Sequence, residues 1–215
     1  MEELIVEVAH ATKQFQMDTV LNDVSIKIEK AKIYGLVGRN GSGKSLLMKC
    51  ICGFVPLTSG KIVVFGKEIG GNIDFAPKTG FLIEHPGLLS QYDAVKNLEL
   101  IGSIQKGCSK DKIKNVIQLV GLNPESKKKV GKFSMGMKQR LGIALALLDE
   151  PDFIILDEPM NGLDNHGVEE MRKLFLELKK QGKTILLASH NRDDIEILCD
   201  EVYEMDGGVL QKKKY

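Results

Sequence analysis

The chain has 215 residues, of which 43% are hydrophobic and 27% charged, with a formal net charge of +1. That length suits one sizeable domain with a real core, and so small a net charge excludes the strong field of a nucleic-acid binder or of a protein for acidic substrates. The longest apolar stretches, such as Leu141 to Leu148, fall far short of the roughly twenty residues a membrane span requires.

In chain order, the first signal is the alternation of apolar and acidic residues over Leu4 to Val8, which predicts a half-exposed strand. No secretory leader is expected, because the opening M-E-E-L-I-V-E-V lacks basic and apolar regions. Val20 to Ile28 alternates too, and the two segments together predict an antiparallel β layer. Ile33 to Val37 is a short apolar run feeding a glycine-rich loop and a helix over Lys44 to Cys52. Lys61 to Phe65 and Gly80 to Ile83 are further strand candidates. Helical spacing follows at Val95 to Ile104, Lys110 to Val120 and Ser134 to Leu148. Phe153 to Leu156 and Thr184 to Ala188 read as buried strands, separated by a helix with Val168, Met171, Leu174, Phe175 and Leu178 on one face. Apolar strands alternating with helices predict a parallel α/β sheet. The expected organisation is a single domain over 1–215, with a core of 1–85 and 151–215 and an α-helical subdomain at about 86–150. Cys50, Cys52, Cys108 and Cys199 show no metal-ligand spacing and read as reduced thiols. The lysine runs at Lys127 to Lys129 and Lys212 to Lys214 read as solvated surface.

Gly38 to Ser45 reads G-R-N-G-S-G-K-S and fits the phosphate-binding pattern G-x-x-x-x-G-K-[ST] between a strand and a helix. Gly38, Gly41 and Gly43 let backbone N–H groups of Arg39, Asn40, Ser42 and their neighbours turn toward phosphate oxygens. The helix through Leu46 offers its N-terminus to the same anion. Lys44 suits the β- and γ-phosphates of ATP, and the Ser45 hydroxyl suits Mg²⁺. The competing reading, a glycine-rich turn that happens to end in Lys-Ser, leaves the strand and helix context unexplained. At the end of the next apolar run, Asp157 suits a grip on Mg²⁺ and Glu158 suits polarising the attacking water. Alone, two adjacent acids read equally well as a polar loop; the phosphate loop tips the balance. His190 follows another apolar strand, so a γ-phosphate contact competes with a purely structural histidine.

Phe133 to Arg140, F-S-M-G-M-K-Q-R, resembles the signature of ATP-binding-cassette transporter subunits, and the order of all the motifs through N-G-L-D at Asn161 to Asp164 is that family's. The resemblance covers essentially the whole chain. It implies a P-loop NTPase fold, that is, a RecA-like parallel-sheet core with an N-terminal antiparallel β layer and a helical subdomain. It implies ATP and Mg²⁺, with Glu158, His190 and Lys44 in catalysis. It implies that Phe15 stacks on adenine, although a core or turn aromatic is the competing reading. Ser134 and Gly136 would hold the γ-phosphate bound to a second copy in a head-to-tail homodimer. Separate transmembrane permease subunits would be the other partners, with no nucleic acid, so the chain would lie in the cytoplasm on the inner face of the cell membrane. Two departures stand out. Met135 and Met137 replace the usual glycine and glutamine of the signature, and Glu84, in I-E-H-P, replaces a glutamine that touches Mg²⁺. Glutamate there resembles the subgroup associated with bacitracin export and lantibiotic immunity, which implies export of antimicrobial peptides or drugs. A soluble cassette ATPase of translation or DNA repair is the alternative; it usually carries two cassettes, or coiled-coil or zinc insertions, and neither pattern is present.

Overall fold

The structure, a computed structural model, describes residues 3–102 and 109–213; Cys108, the end of the helix expected at Val95 to Ile104, and Lys214 lie outside them. β1 (Leu4–Phe15) and β2 (Asp18–Glu29) form an antiparallel hairpin. With β4 (Ser59–Val64) and β5 (Lys67–Glu68) they make a four-stranded sheet in the order β2-β1-β4-β5. The second sheet contains β3 (Ile33–Val37), β6 (Thr79–Leu82), β7 (Phe153–Asp157), β8 (Thr184–Ala188), β9 (Glu201–Asp206) and β10 (Val209–Lys213). Its order is β10-β9-β3-β8-β7-β6, and every pair except β9–β10 is parallel.

Alternation within buried strands divides the core. In β7, Phe153 and Ile155 join one cluster with α1 (Lys44–Cys52) and the antiparallel sheet. Ile154 and Leu156 join another with α2 (Ala94–Gly102), α3 (Lys110–Leu119), α4 (Met135–Leu147) and α5 (Asn165–Lys180). β8 splits the same way, Leu186 and Ala188 to the first side, Ile185 and Leu187 to the second. Both faces of these strands are therefore covered, which is why they read as unbroken apolar runs. The apolar stripe expected on α5 is buried at Met171, Leu174, Phe175 and Leu178, and Asp164 caps the helix through the Gly167 N–H at 2.8 Å.

Some boundaries differ from expectation. β1 runs on to Phe15, beyond the alternation that ends at Val8, because irregular pairing between Val8 and Ala11 breaks the period of two. β6 stops at Leu82, so Ile83 lies beyond it, and Glu84 then takes a left-handed backbone at φ 61°. The segment after His190 folds into α6 (Arg192–Leu198), β9 and β10, none of which was anticipated.

Candidate functional site

In the parallel sheet β8 lies between β3 and β7, with Leu36 opposite Ala188 and Ala188 opposite Asp157. The C-terminal ends of the three strands are therefore neighbours. The loop after β3, the acidic pair after β7 and the histidine after β8 converge at the position where open α/β sheets bind ligands. A cleft of about 480 Å³ opens there, lined among others by Asn40, Gly41, Gly43, Lys44, Ser45 and Leu46. Asp157, Glu158 and Glu84 line it as well.

The loop takes its shape from its glycines and from the C-terminal hairpin. Gly38 has φ 145°, and a Cβ there would lie 2.2 Å from the Met205 carbonyl oxygen. The Gly208 N–H donates to the Ser42 carbonyl at 3.2 Å, and the Asn22 N–H donates to the Gly208 carbonyl at 2.9 Å. β9 and β10 thus brace the loop from behind. Gly43 caps α1 without a side chain, at φ 112°, so the first N–H groups of the helix meet no side-chain acceptor there. Lys44 is buried and curls back, its Nζ donating to the Gly38 carbonyl at 2.7 Å and the Arg39 carbonyl at 3.0 Å. The Ser42 hydroxyl is buried with no partner among the described residues. A glycine-rich loop at a helix N-terminus, with a buried ammonium and an unpartnered hydroxyl in it, is suited to polyphosphate.

Ser45 Oγ donates to Asp157 Oδ2 at 2.5 Å, tying the start of α1 to the end of β7. Among the described residues no group of three or more His, Cys, Asp or Glu side chains is placed to hold a metal ion. One carboxylate and one hydroxyl beside a phosphate cradle nevertheless fit Mg²⁺, which takes few protein oxygens and shares phosphate oxygens with its substrate. Glu158 follows in a left-handed backbone, φ 51°. Its N–H donates to the Ala188 carbonyl at 2.9 Å. Its carbonyl accepts from the Asn161 N–H at 3.2 Å and from Gln139 Nε2 at 3.0 Å. Its carboxylate Oε2 lies 2.7 Å from His190 Nδ1. The strand end, the signature helix and the histidine loop thus fix the residue together. The histidine loop is itself held: Ser189 Oγ donates to Asp194 Oδ2 at 3.2 Å, and Arg172 on α5 pairs with the buried Asp194 at 2.6 Å.

The other expected residues sit around this centre. Ser134 is the N-cap of α4, its Oγ accepting from the Met137 N–H at 3.2 Å. Neither Ser134 nor Gly136 lines the cleft of its own chain, whereas Met135 does. Phe15 ends β1, is 48% exposed with the Lys13 ammonium 4.9 Å from its ring centroid, and is not part of the cleft wall; Val20 is. Glu84 faces the Lys49 ammonium of α1, Oε1 to Nζ 2.5 Å. Met205 and Gly208 are site-shaping residues that the sequence motifs did not mark, and Gln139 lies within the signature motif without a role assigned to it there.

The family model described as ABC transporter matches residues 21–161. The chain belongs to the ABC transporter family. It is an ABC ATP-binding domain, an ATP hydrolase of transporters. An uncharacterized ABC transporter ATP-binding protein of Bacillus subtilis (strain 168) is 42% identical, over 96% of this chain and 95% of its own. The bacitracin transport ATP-binding protein BcrA of Enterococcus faecalis is 39% identical, over 97% of this chain and 68% of its own. The lantibiotic transport ATP-binding protein SrtF of Streptococcus pyogenes is 38% identical, over 98% and 91%. Among solved structures, a nucleotide-free ATP-binding cassette from an ABC transporter is 26% identical with a TM-score of 0.85, covering 98% of this chain and 91% of that one. A dimeric cassette in a post-hydrolysis state with ADP and phosphate shares the fold, with a TM-score of 0.88 at 22% identity, each chain covered over 98%. These likenesses bear out the transporter reading and lend nothing to the translation or DNA-repair alternative.

Proposed function

We propose that this ABC domain powers export of antimicrobial peptides or drugs through separate membrane-spanning subunits, as a head-to-tail dimer that closes around two Mg-ATP. Among the described residues no helix is long and apolar enough to cross a membrane. The observation that carries docking to a partner is an exposed aromatic cluster. Phe54, Phe75 and Phe81 are 43%, 62% and 43% exposed. Phe54 lies 5.9 Å from Phe75 and 4.8 Å from Phe81, centroid to centroid. Contiguous exposed aromatics mark interaction surfaces. Phe54 lies two residues after α1, and Phe81 sits three residues before Glu84, so a partner seated there would touch both segments that lead into the cleft. The bacitracin and lantibiotic names of the relatives support the cargo class. The domain reads as one unit, core 1–85 and 151–215 with a helical subdomain at about 86–150, and it works on the cytoplasmic face of the membrane. The test is co-purification. With the native membrane partner, the double variant Phe75→Ser/Phe81→Ser loses co-purification and ATPase stimulation while the isolated chain keeps its basal turnover. Retained co-purification removes this surface from the reading.

In this reading Lys44, with the backbone N–H groups of Gly38 to Ser45 and the start of α1 at Leu46, holds the β- and γ-phosphates. Ser45 and Asp157 would hold Mg²⁺, which would supply neutralisation of the phosphate charge. Glu158 orients the attacking water and takes its proton, and His190 holds the Glu158 carboxylate in register from its Nδ1. Ser134 and Gly136 present the N-terminus of α4 outward to the second copy's γ-phosphate, and Phe15 stacks on adenine at the rim. Glu84, which lines the same cleft, would be a further carboxylate for Mg²⁺. A carboxylate is the stronger ligand for a hard cation, so Glu84→Gln raises the Mg²⁺ concentration for half-maximal hydrolysis. Stability changes little, because the Glu84–Lys49 pair is partly exposed to solvent and such pairs contribute at most about 1 kcal/mol. A magnesium titration at fixed ATP checks this, and superimposable curves for the two proteins remove the metal role.

A further inference from the structure

We propose that Gln139 is a positioning residue for the catalytic carboxylate, the strut through which the signature helix sets Glu158. The inference rests on the reading of Glu158 as the base. Gln139 is 8% exposed, and its Nε2 spans from α4 to the Glu158 main-chain carbonyl at 3.0 Å. Glu158 needs such support. A non-glycine residue in the left-handed region is strained and persists where its surroundings over-determine it. Of the hydrogen bonds on its backbone, those from Asn161 and to Ala188 come from the adjoining turn and the neighbouring strand. The bond from Gln139 alone comes from α4.

α4 is also keyed to the turn after Glu158. A Cβ on Gly136 would lie 2.7 Å from the Gly162 carbonyl oxygen, and one on Gly162 would lie 2.5 Å from Met135 Cγ. The helix start, which carries Ser134 and Gly136, and the segment from Glu158 to Gly162 therefore fit together too closely to slide independently. A displacement of α4 when its N-terminus meets a ligand is passed by the Gln139 amide to the peptide that aims the Glu158 carboxylate. Gln139 itself touches no reacting atom; its effect runs entirely through Glu158.

The test is a double-mutant cycle. Gln139→Met keeps the approximate length and volume of the side chain and replaces the amide, with its N–H donor, by a thioether. The Glu158 carbonyl retains its bond from Asn161, so the fold is kept and the thermal midpoint moves by no more than ~2 °C. ATP affinity and KM stay within about twofold, while kcat falls by about 10- to 100-fold, the scale expected of a displaced catalytic group. In a Glu158→Gln background, single-turnover hydrolysis is changed less than about twofold by adding Gln139→Met, because the group it positions is already disabled. Gln139→Asn, polar but too short to reach, repeats the loss if the Met variant is poorly folded. An unchanged kcat in both variants overturns the proposal. An equal loss in both backgrounds also overturns it, since that is the mark of general structural damage. If Glu158→Gln alone keeps near-normal turnover, the base assignment has failed instead, and the two failures are told apart.

Discussion

Replacing Glu158 by glutamine lowers ATP turnover by about 10²- to 10⁴-fold, the usual loss of a general base, and leaves ATP binding in place. Glutamine preserves the shape of the side chain and can still meet His190 Nδ1, which lies 2.7 Å from Oε2 in the native chain. It cannot take a proton from water. The left-handed backbone is a property of the three segments that hold residue 158, so it survives the change. With the bond-breaking step blocked, ATP stays intact, and in the head-to-tail reading two copies remain clasped around it. Size-exclusion chromatography with ATP and Mg²⁺, set beside phosphate release in the same samples, reads both consequences. A variant that turns over ATP within tenfold of the native chain removes Glu158 from the role of base. A variant that is inactive but stays monomeric at high concentration removes the clasped dimer for the isolated chain and leaves the base intact.

Lys44→Ala abolishes measurable hydrolysis and weakens ATP binding. In the native chain the Lys44 ammonium is nearly enclosed and is hydrogen-bonded to the Gly38 and Arg39 carbonyls. It is thus already aimed at the centre of the loop before any phosphate arrives. A hydrogen bond to a charged group is worth about 1.5–3 kcal/mol, so affinity falls by roughly ten- to over a hundredfold. The fold tolerates the loss, because the two freed carbonyls belong to a loop open to the cleft and can turn to water. Nucleotide titration with phosphate release tests the pair of effects. Near-normal turnover in the alanine variant removes the phosphate-loop assignment.

The motifs that could be read along the chain are those whose residues are adjacent in it. Gly38 to Ser45 is contiguous, and the strand before it and helix after it begin and end where the apolar pattern does, at Ile33–Val37 and Lys44–Cys52. Asp157, Glu158 and His190 stand out because they lie just past apolar runs, the trace left by strands buried on both faces. What escaped depends on distance along the chain. The Gln139–Glu158 bond joins residues 19 apart and exists only because Glu158 is left-handed, a state that glutamate does not advertise. Lys49 meets Glu84 across 35 residues. α6 has seven residues, too few for a helical period to register, and β9 and β10 carry acidic and basic residues on their open side. Yet these last strands put the Met205 carbonyl against Gly38 and Gly208 against Ser42. Phe15 was placed by likeness to the family, and its exposed position at the tip of the first hairpin follows from a strand that pairs on past its irregular register.

That brace has a bearing on how the chain is born. β3 is synthesised well before its hydrogen-bonded neighbours, which are β8 at Thr184–Ala188 and β9 at Glu201–Asp206. At about 5–20 residues per second, the ribosome adds those neighbours roughly ten to thirty seconds after β3. Throughout that interval a strand of purely apolar and glycine residues around Leu36 has both edges unpaired, the condition under which nascent chains misassociate. The antiparallel hairpin of β1 and β2 can close at once, whereas the phosphate loop cannot take its final shape until β9 and the turn that follows it are made. A polypeptide that has lost β9 and β10 therefore lacks the backing for Gly38, and its phosphate loop has no template for the native shape.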